Sequence, residues 1–219
     1  MNEDKRVVHV MRHGQVHNPE GVLYGRIEGF GLSELGHRMA AEMADYWAPF
    51  PLTHLRCSPL QRARETLAPT AARFPDLEVV IDERVIEAAN EFEGQVFGAG
   101  NKALRNPAML RHVWNPFRPS WGEPYVEIAA RMREAIADAA EAAGEGGQAL
   151  VVAHQLPIWI ARCDVEGILF FHDPRKRQCT LASVTSFTFR DGAVTAVDYR
   201  EPVAHLLPAK RGRRFQVGT

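Results

Sequence analysis

Apolar and polar positions change period several times along the chain, and each change predicts an element. VVHVM (7–11) is a nearly unbroken apolar run rich in β-branched residues that stops before Arg12, His13 and Gly14. This is the pattern of a buried strand delivering a loop at its carboxyl end. After Ser33, Leu35, Met39, Met43 and Tyr46 or Trp47 recur at helical spacing until Pro49 stops them. THLRCS (53–58) predicts a second strand. Pro59 fits the first turn of a helix, and LQRARETLAPTAARF (60–74) carries helical spacing with a bend expected near Pro69. LEVVIDERV (77–85) predicts a third strand.

From Asn90 to Pro124 the periodicity loosens into Gly, Asn, Pro and Trp, ending in NPFRPSWGEP. A stretch this long without a period predicts an insertion, usually a functional cover or a disordered segment. YVEIAARMREAIADAAEAA (125–143) is then a strongly amphipathic helix closed by GEGG. QALVVAHQ (148–155) is an apolar strand that stops on a histidine. ASVTSFTF (182–189) and AVTAVDYR (193–200) flank Arg190-Asp191-Gly192 as a hairpin. This alternation predicts an α/β fold: a three-layer α/β/α sandwich with a mostly parallel sheet, one antiparallel strand at or near an edge, and a lid-like insertion at about 90–124. Ligands in such sheets sit beyond the carboxyl ends of the strands, where His13 and His154 are delivered. One domain over 1–207 is expected, with 208–219 as a basic tail.

Composition removes several classes of function. With 46% apolar and 24% charged residues the chain is an ordinary globular protein, and 26 basic against 27 acidic residues leave no global field for nucleic acid or an anionic membrane surface. Lys210, Arg211, Arg213 and Arg214 concentrate positive charge in the tail, read as a solvated, mobile terminus with a polyanion contact as the alternative. Cys57, Cys163 and Cys179 are odd in number and form no CxxC pair, which argues against a disulfide framework or a zinc ribbon and points to a reducing compartment. No run approaches the roughly 20 apolar residues that span a bilayer, and MNEDKR is unlike a secretory signal, so a cytoplasmic location is expected.

The chemistry concentrates at the strand ends. A histidine held there beside an arginine, in a turn opened by Gly14, suggests an anion site containing a nucleophile, because the planar guanidinium suits phosphate oxygens. His9, His13 and His17 are spaced by four, but on a strand and turn that spacing does not bring three rings together, so no metal site is expected.

The wider text resembles the histidine phosphatase superfamily, the phosphoglycerate mutase-like family marked by Arg-His-Gly after its first strand. RHGQVHNPEGVLYGR, GLSELGHRMA, CSPLQRARET, VIEAANEFEG, GEP before a helix and VVAHQLPIW follow in that family's order over about residues 7–160. The resemblance implies a phosphoglycerate mutase-like fold with His13 as the nucleophile that becomes phosphohistidine. Arg12, Arg62 and His154 would form the phosphate pocket, Glu87 would be the proton donor, and Asn18 and Ser58 would be secondary contacts. Arg64, about 200° around the helix from Arg62, cannot share the pocket with it.

Three departures from the family pattern matter. Phe92-Glu93-Gly94 stands one residue early, leaving Glu91 and Glu93 as alternatives to Glu87. Gln155 follows His154 where glycine is common, and Asn18 stands one residue earlier than in many relatives. The expected activity is a phosphatase acting on a small phosphorylated metabolite without metal or cofactor. Phosphoglycerate mutase-type transfer and a noncatalytic phospholigand-binding protein are the alternatives. No nucleic-acid or membrane partner is expected, and a homodimer is left open. Arg175, Lys176 and Arg177 read as a solvated turn or as a reach toward acidic groups of the substrate; Trp114, Phe117, Arg118 and Trp121 read as packing or as a lid.

Overall fold

The computed structural model describes residues 5–96 and 122–207. Residues 97–121, which hold most of the expected insertion with its Trp114, Phe117, Arg118 and Trp121, lie outside the described residues, as does the basic tail at 208–219. In chain order the elements are β1 (Arg6–Arg12), α1 (Glu34–Trp47), β2 (Leu52–Cys57), α2 (Gln61–Ala71), β3 (Val79–Ile81), α3 (Tyr125–Ala143), β4 (Gln148–Ala153), α4 (Gln155–Glu166), β5 (Val184–Arg190) and β6 (Ala193–Arg200). The sheet order is β3-β2-β4-β1-β5-β6. β1 to β4 are mutually parallel, and β5 runs antiparallel to both of its neighbours.

The strands read as apolar runs because both faces of the sheet are covered. Along β4, Ala149, Val151 and Ala153 pack with Ile128, Met132 and Ile158 of α3 and α4, while Leu150 and Val152 pack with Met39, Met43 and Trp47 of α1 and Leu67 of α2. Each fully buried side chain of this size contributes roughly 1.5–3 kcal/mol, so the two helix layers fix the strand register firmly. The three layers and the single antiparallel strand expected from the alternation are therefore present. Asp191 and Gly192 both take positive φ, giving the two-residue turn that suits the twist of the β5–β6 hairpin.

Local details differ from the pattern. β3 covers only Val79–Ile81, because the Asp82 carboxylate accepts from the Arg84 N–H and turns the chain into a short 3₁₀ segment, Glu83–Val85. α2 begins at Gln61, two residues after Pro59, and contains Pro69 in its last turn. Ser33 caps α1 as expected, its hydroxyl accepting from the Gly36 N–H at 3.0 Å. All three cysteines are free and buried, and burial pushes the Cys57 thiol up to about 12 and the Cys179 thiol to about 11. Among the described residues no helix is long and apolar enough to cross a membrane.

Candidate active site

β1 carries its last residues past the sheet and is stitched in place from two sides. The His13 N–H donates to the Ala153 carbonyl at the end of β4 (3.2 Å), the Arg12 N–H donates to the Ser183 carbonyl (3.0 Å), and the Ala182 N–H donates to the His13 carbonyl (3.3 Å). Ala182 reaches that carbonyl with φ of 53°, a left-handed conformation costly for a side-chain-bearing residue and held here by buried surroundings. The glycine of the motif has a packing reason: a Cβ on Gly14 would stand 2.9 Å from the Gly36 carbonyl oxygen in the first turn of α1. Its bare backbone admits the helix rather than only a ligand.

The His13 ring is buried, 1% exposed. Its Nδ1 lies 2.8 Å from the Gly14 carbonyl oxygen, which can only accept, so Nδ1 carries the proton and Nε2 keeps its lone pair. The Gly14 N–H in turn donates to Thr66 Oγ1 (3.0 Å), whose hydroxyl donates to the Arg62 carbonyl (2.6 Å). One threonine thus joins the His13 loop to the turn of α2 that carries Arg62.

Opposite lies His154, fully buried at the end of β4 and capping α4, with its ring centroid 5.1 Å from that of His13. Its Nε2 is 2.7 Å from Ser58 Oγ, which follows β2. Arg12 donates through Nη1 to the Cys179 carbonyl (2.7 Å), and Arg62 donates through Nη2 to the Gly25 carbonyl (2.6 Å) with its guanidinium 4.6 Å from the centre of the Tyr24 ring. Arg12 and Arg62 are only 3% and 1% exposed, yet among the described residues neither pairs with a carboxylate. Arg12 Nε, Arg62 Nε and His154 Nδ1 are buried without hydrogen-bond partners. Buried polar atoms without partners are uncommon in folded proteins, and here three of them belong to charged or imidazole groups that act on His13 or on one another.

The electrostatics follow from the geometry. Burial, then the charges of Arg62 and Arg12, hold the His13 imidazolium pKa well below its usual value, against a smaller opposing effect of the Gly14 carbonyl. Burial, Arg62, His13 and Arg12 do the same to His154. Both rings are therefore neutral near pH 7, while the two guanidinium groups keep the site positive.

The loop following the 3₁₀ segment brings in the acids. Glu87 is half-buried, bonded through Oε1 to the Ala88 N–H (2.9 Å), and within electrostatic reach of Arg62, Tyr24 and Arg177. Its backbone is clamped: Arg26 Nε donates to the Glu87 carbonyl (2.7 Å), and Arg131 donates to the carbonyls of Arg84 and Ile86 while pairing with Glu123 at 2.6 Å. Glu93 Oε1 instead accepts from the Arg26 and Asn90 N–H groups, and Glu91 is exposed. Asn18 spends both amide atoms on the backbone of Val22. Arg64 and His17 are exposed, and His9 is buried between Ser186 and Gln148 and stacked near Trp47, so the three spaced histidines do not converge. Glu65, a nearby competitor for Arg62, accepts instead from the Leu32 N–H and Gln61.

Sequence reasoning overlooked Thr66, Tyr24, Ala182 and the Arg131–Glu123 clamp. Thr66 lies one helical turn beyond Arg62, so its placement was accessible to register. Ala182 and the Cys179 carbonyl meet the site only through the fold and carry no local signal. A cavity of about 1170 Å³ opens on the Arg62 side, lined by Arg62, Leu60, Phe30, Ile27 and Ile86. His13 and His154 do not line it, so the unpaired nitrogens, rather than the cavity, define where an oxyanion would sit.

Fold and site together define an α/β protein with a histidine-centred, positively charged cluster at the carboxyl ends of its parallel strands. The chain belongs to the histidine phosphatase superfamily, branch 1, whose family model matches residues 8–202. It is 50% identical over 197 residues to the uncharacterized protein Rv0525 of Mycobacterium tuberculosis, covering 90% of this chain and 96% of that protein. Mycobacterial glucosyl-3-phosphoglycerate phosphatase Rv2419c has a similar structure (TM-score 0.69, 25% identity, 90% of this chain and 96% of that one). Phosphoglycerate mutase from Bacillus anthracis shares the fold (TM-score 0.67, 20% identity, 89% of this chain and 92% of that one).

Proposed function

We propose that this protein is a phosphomonoesterase that hydrolyses a small phosphorylated metabolite through a phosphohistidine on His13. The observation that carries the reading is the 2.8 Å contact of His13 Nδ1 with the Gly14 carbonyl, which places the proton there and leaves Nε2 a neutral nucleophile beside the buried nitrogens of Arg12, Arg62 and His154 that have no partner. The structural similarity to a glucosyl-3-phosphoglycerate phosphatase supports a small phosphorylated metabolite as the substrate.

In the first step the Nε2 lone pair attacks phosphorus in line, the bond from phosphorus to the ester oxygen breaks, and Glu87 gives the leaving oxygen its proton. Arg12, Arg62 and His154 hold the equatorial oxygens as charge develops on them, which supplies most of the rate. In the second step Glu87, now a carboxylate, takes a proton from water as it attacks phosphorus. The P–N bond then breaks and the lone pair returns to Nε2, releasing orthophosphate. Glu87 is favoured over Glu93 because Glu93 Oε1 is already committed to two backbone N–H groups. Ser58 acts through His154 by fixing its ring. The chemistry uses only these side chains, and no metal or cofactor takes part.

The test is orthophosphate release from a panel of phosphate monoesters, without added metal and with EDTA present. Native protein is expected to turn over and to accumulate acid-labile phosphoprotein, and His13→Ala to do neither. Release that survives in His13→Ala overturns the reading, and isomerised phosphoglycerate without release replaces it with a mutase.

A further inference from the structure

Among the described residues, Arg177 is a third cation near this site without a carboxylate partner. It follows the short 3₁₀ turn Pro174–Lys176 and reaches Gln155, the first residue of α4, just past the end of β4. Its neighbours 175 and 176 are exposed, and Arg175 pairs with Asp173, but Arg177 is drawn inward. Its Nε donates to His172 Nε2 (2.7 Å) and its Nη1 to Gln155 Oε1 (3.3 Å).

Both acceptors are neutral. His172 has Nδ1 against the Phe170 carbonyl, so that nitrogen carries the proton and Nε2 is free to accept. Burial, opposed in part by that carbonyl, lowers the His172 pKa and keeps the ring neutral. Gln155 ties Arg177 to the phosphate site directly: its amide nitrogen reaches the Cys179 carbonyl (3.4 Å) that also accepts from Arg12. The guanidinium also feels the charges of Glu87 and Arg12. Among the described residues no carboxylate pairs with it, Glu87 acting only through space, and a positive group so placed beside two others favours a ligand with two anionic groups.

Building on the phosphatase reading, we propose that Arg177 binds a second oxyanion on the leaving-group side of the substrate, so that the preferred phosphate ester carries a carboxylate or a second phosphate close to its phosphorylated oxygen. His172 and Gln155 are positioning residues: they hold the guanidinium plane by dipoles without neutralising it. The glutamine after His154, where the resemblance led us to expect glycine, then has a reason in this chain.

The test compares three phosphonates that cannot be hydrolysed, propylphosphonate, 2-carboxyethylphosphonate and propane-1,3-bisphosphonate, by calorimetric titration of native protein and Arg177→Gln. At least one doubly anionic ligand is expected to bind native protein about ten- to hundredfold more tightly than propylphosphonate, the range for a hydrogen bond to a charged group, and the variant is expected to lose that preference. Whichever ligand wins names the source of the second oxyanion. Arg177→Lys, which keeps the charge but not the planar fork, is expected to recover only part of the preference. Equal binding of all three by native protein, or a preference that survives in Arg177→Gln, overturns the inference. Because binding is read without turnover, a preference seen in a protein that releases no phosphate sustains this inference while the phosphatase reading fails.

Discussion

Thr66→Val separates a structural hydroxyl from catalysis in a way the site makes quantitative. Thr66 is fully buried, and its Oγ1 both accepts from the Gly14 N–H at 3.0 Å and donates to the Arg62 carbonyl at 2.6 Å. Valine keeps the shape and removes both bonds. The Gly14 N–H, itself buried, is left without an acceptor, which costs about 1–3 kcal/mol. For a chain of this size each kcal/mol moves Tm by roughly 2–4 °C, so a fall of about 2–12 °C is expected by differential scanning calorimetry. The kinetic consequence is larger. Gly14 is the residue whose carbonyl holds His13 Nδ1, so a shift in its peptide unit rotates the attacking Nε2 away from phosphorus, and in-line chemistry loses on the order of 10²-fold for a misplacement of about 1 Å. A drop in kcat of about 10- to 100-fold is expected, with KM changed much less because Arg12, Arg62 and His154 remain. Thr66→Ser, which keeps the hydroxyl, is expected to restore most of kcat. A valine variant with unaltered kcat would refute the linkage, whatever its Tm.

Two further outcomes follow from the buried charges. His9, His13 and His154 all have folded-state pKa values below the ordinary 6.5, so the unfolded chain binds more protons between the folded values and 6.5. Stability is therefore expected to hold above pH 6.5 and to fall as pH drops through that window, by up to about 1.4 kcal/mol per pH unit for each histidine, and urea midpoints that rise on acidification would contradict it. Arg62→Met removes a buried cation that has no carboxylate partner, together with its bond to the Gly25 carbonyl and its contact with the Tyr24 ring; because the burial cost of the charge outweighs those contacts, Tm without ligand is expected to equal or exceed that of native protein, whereas the stabilisation by added phosphate disappears. A marked loss of Tm in phosphate-free buffer would show that the guanidinium supports the fold itself.

The periodicity made the architecture legible because its determinants are local. β4 could be read as a strand covered on both faces, and the break after Val7–Met11 placed His13 at a strand end. The family resemblance picked out the other members of the group around His13, which sit at or just past a strand end or in the first turn of a helix. What could not be read was contact between distant segments. The shortened β3 depends on Asp82 meeting Arg56 and Arg84, and the seat of Glu87 depends on Arg131 and Glu123, 36 or more positions away. Asn18 shows a local tie that the pattern does not reveal: its amide bonds the backbone of its own loop. Arg177 stood inside a basic triplet whose two readings, solvated turn or substrate contact, divide in the structure between Arg175 and Arg177.

Among the described residues, arginines around this site fall into two groups, and the division explains how a stable fold keeps uncancelled charge in its interior. Arg56 meets Asp82 at 2.6 Å in the interior, Arg84 joins Asp82 and Asp138, and Arg131 and Arg26 share Glu123. These pairs are electrically closed, and they brace the loop that carries Glu87. Arg12, Arg62 and Arg177 are held by carbonyl, amide and imidazole groups instead. Dipoles of this kind fix the direction of a guanidinium while leaving its charge uncancelled, which a carboxylate cannot do. Burying such charges costs stability, and the packed layers of α1, α2, α3 and α4 offset that cost. The field is therefore already in place before any ligand arrives, so on the proposed phosphatase reading binding an oxyanion would need little rearrangement of protein charge, and the site would favour a dianionic transition state for the same reason that it destabilises the empty protein.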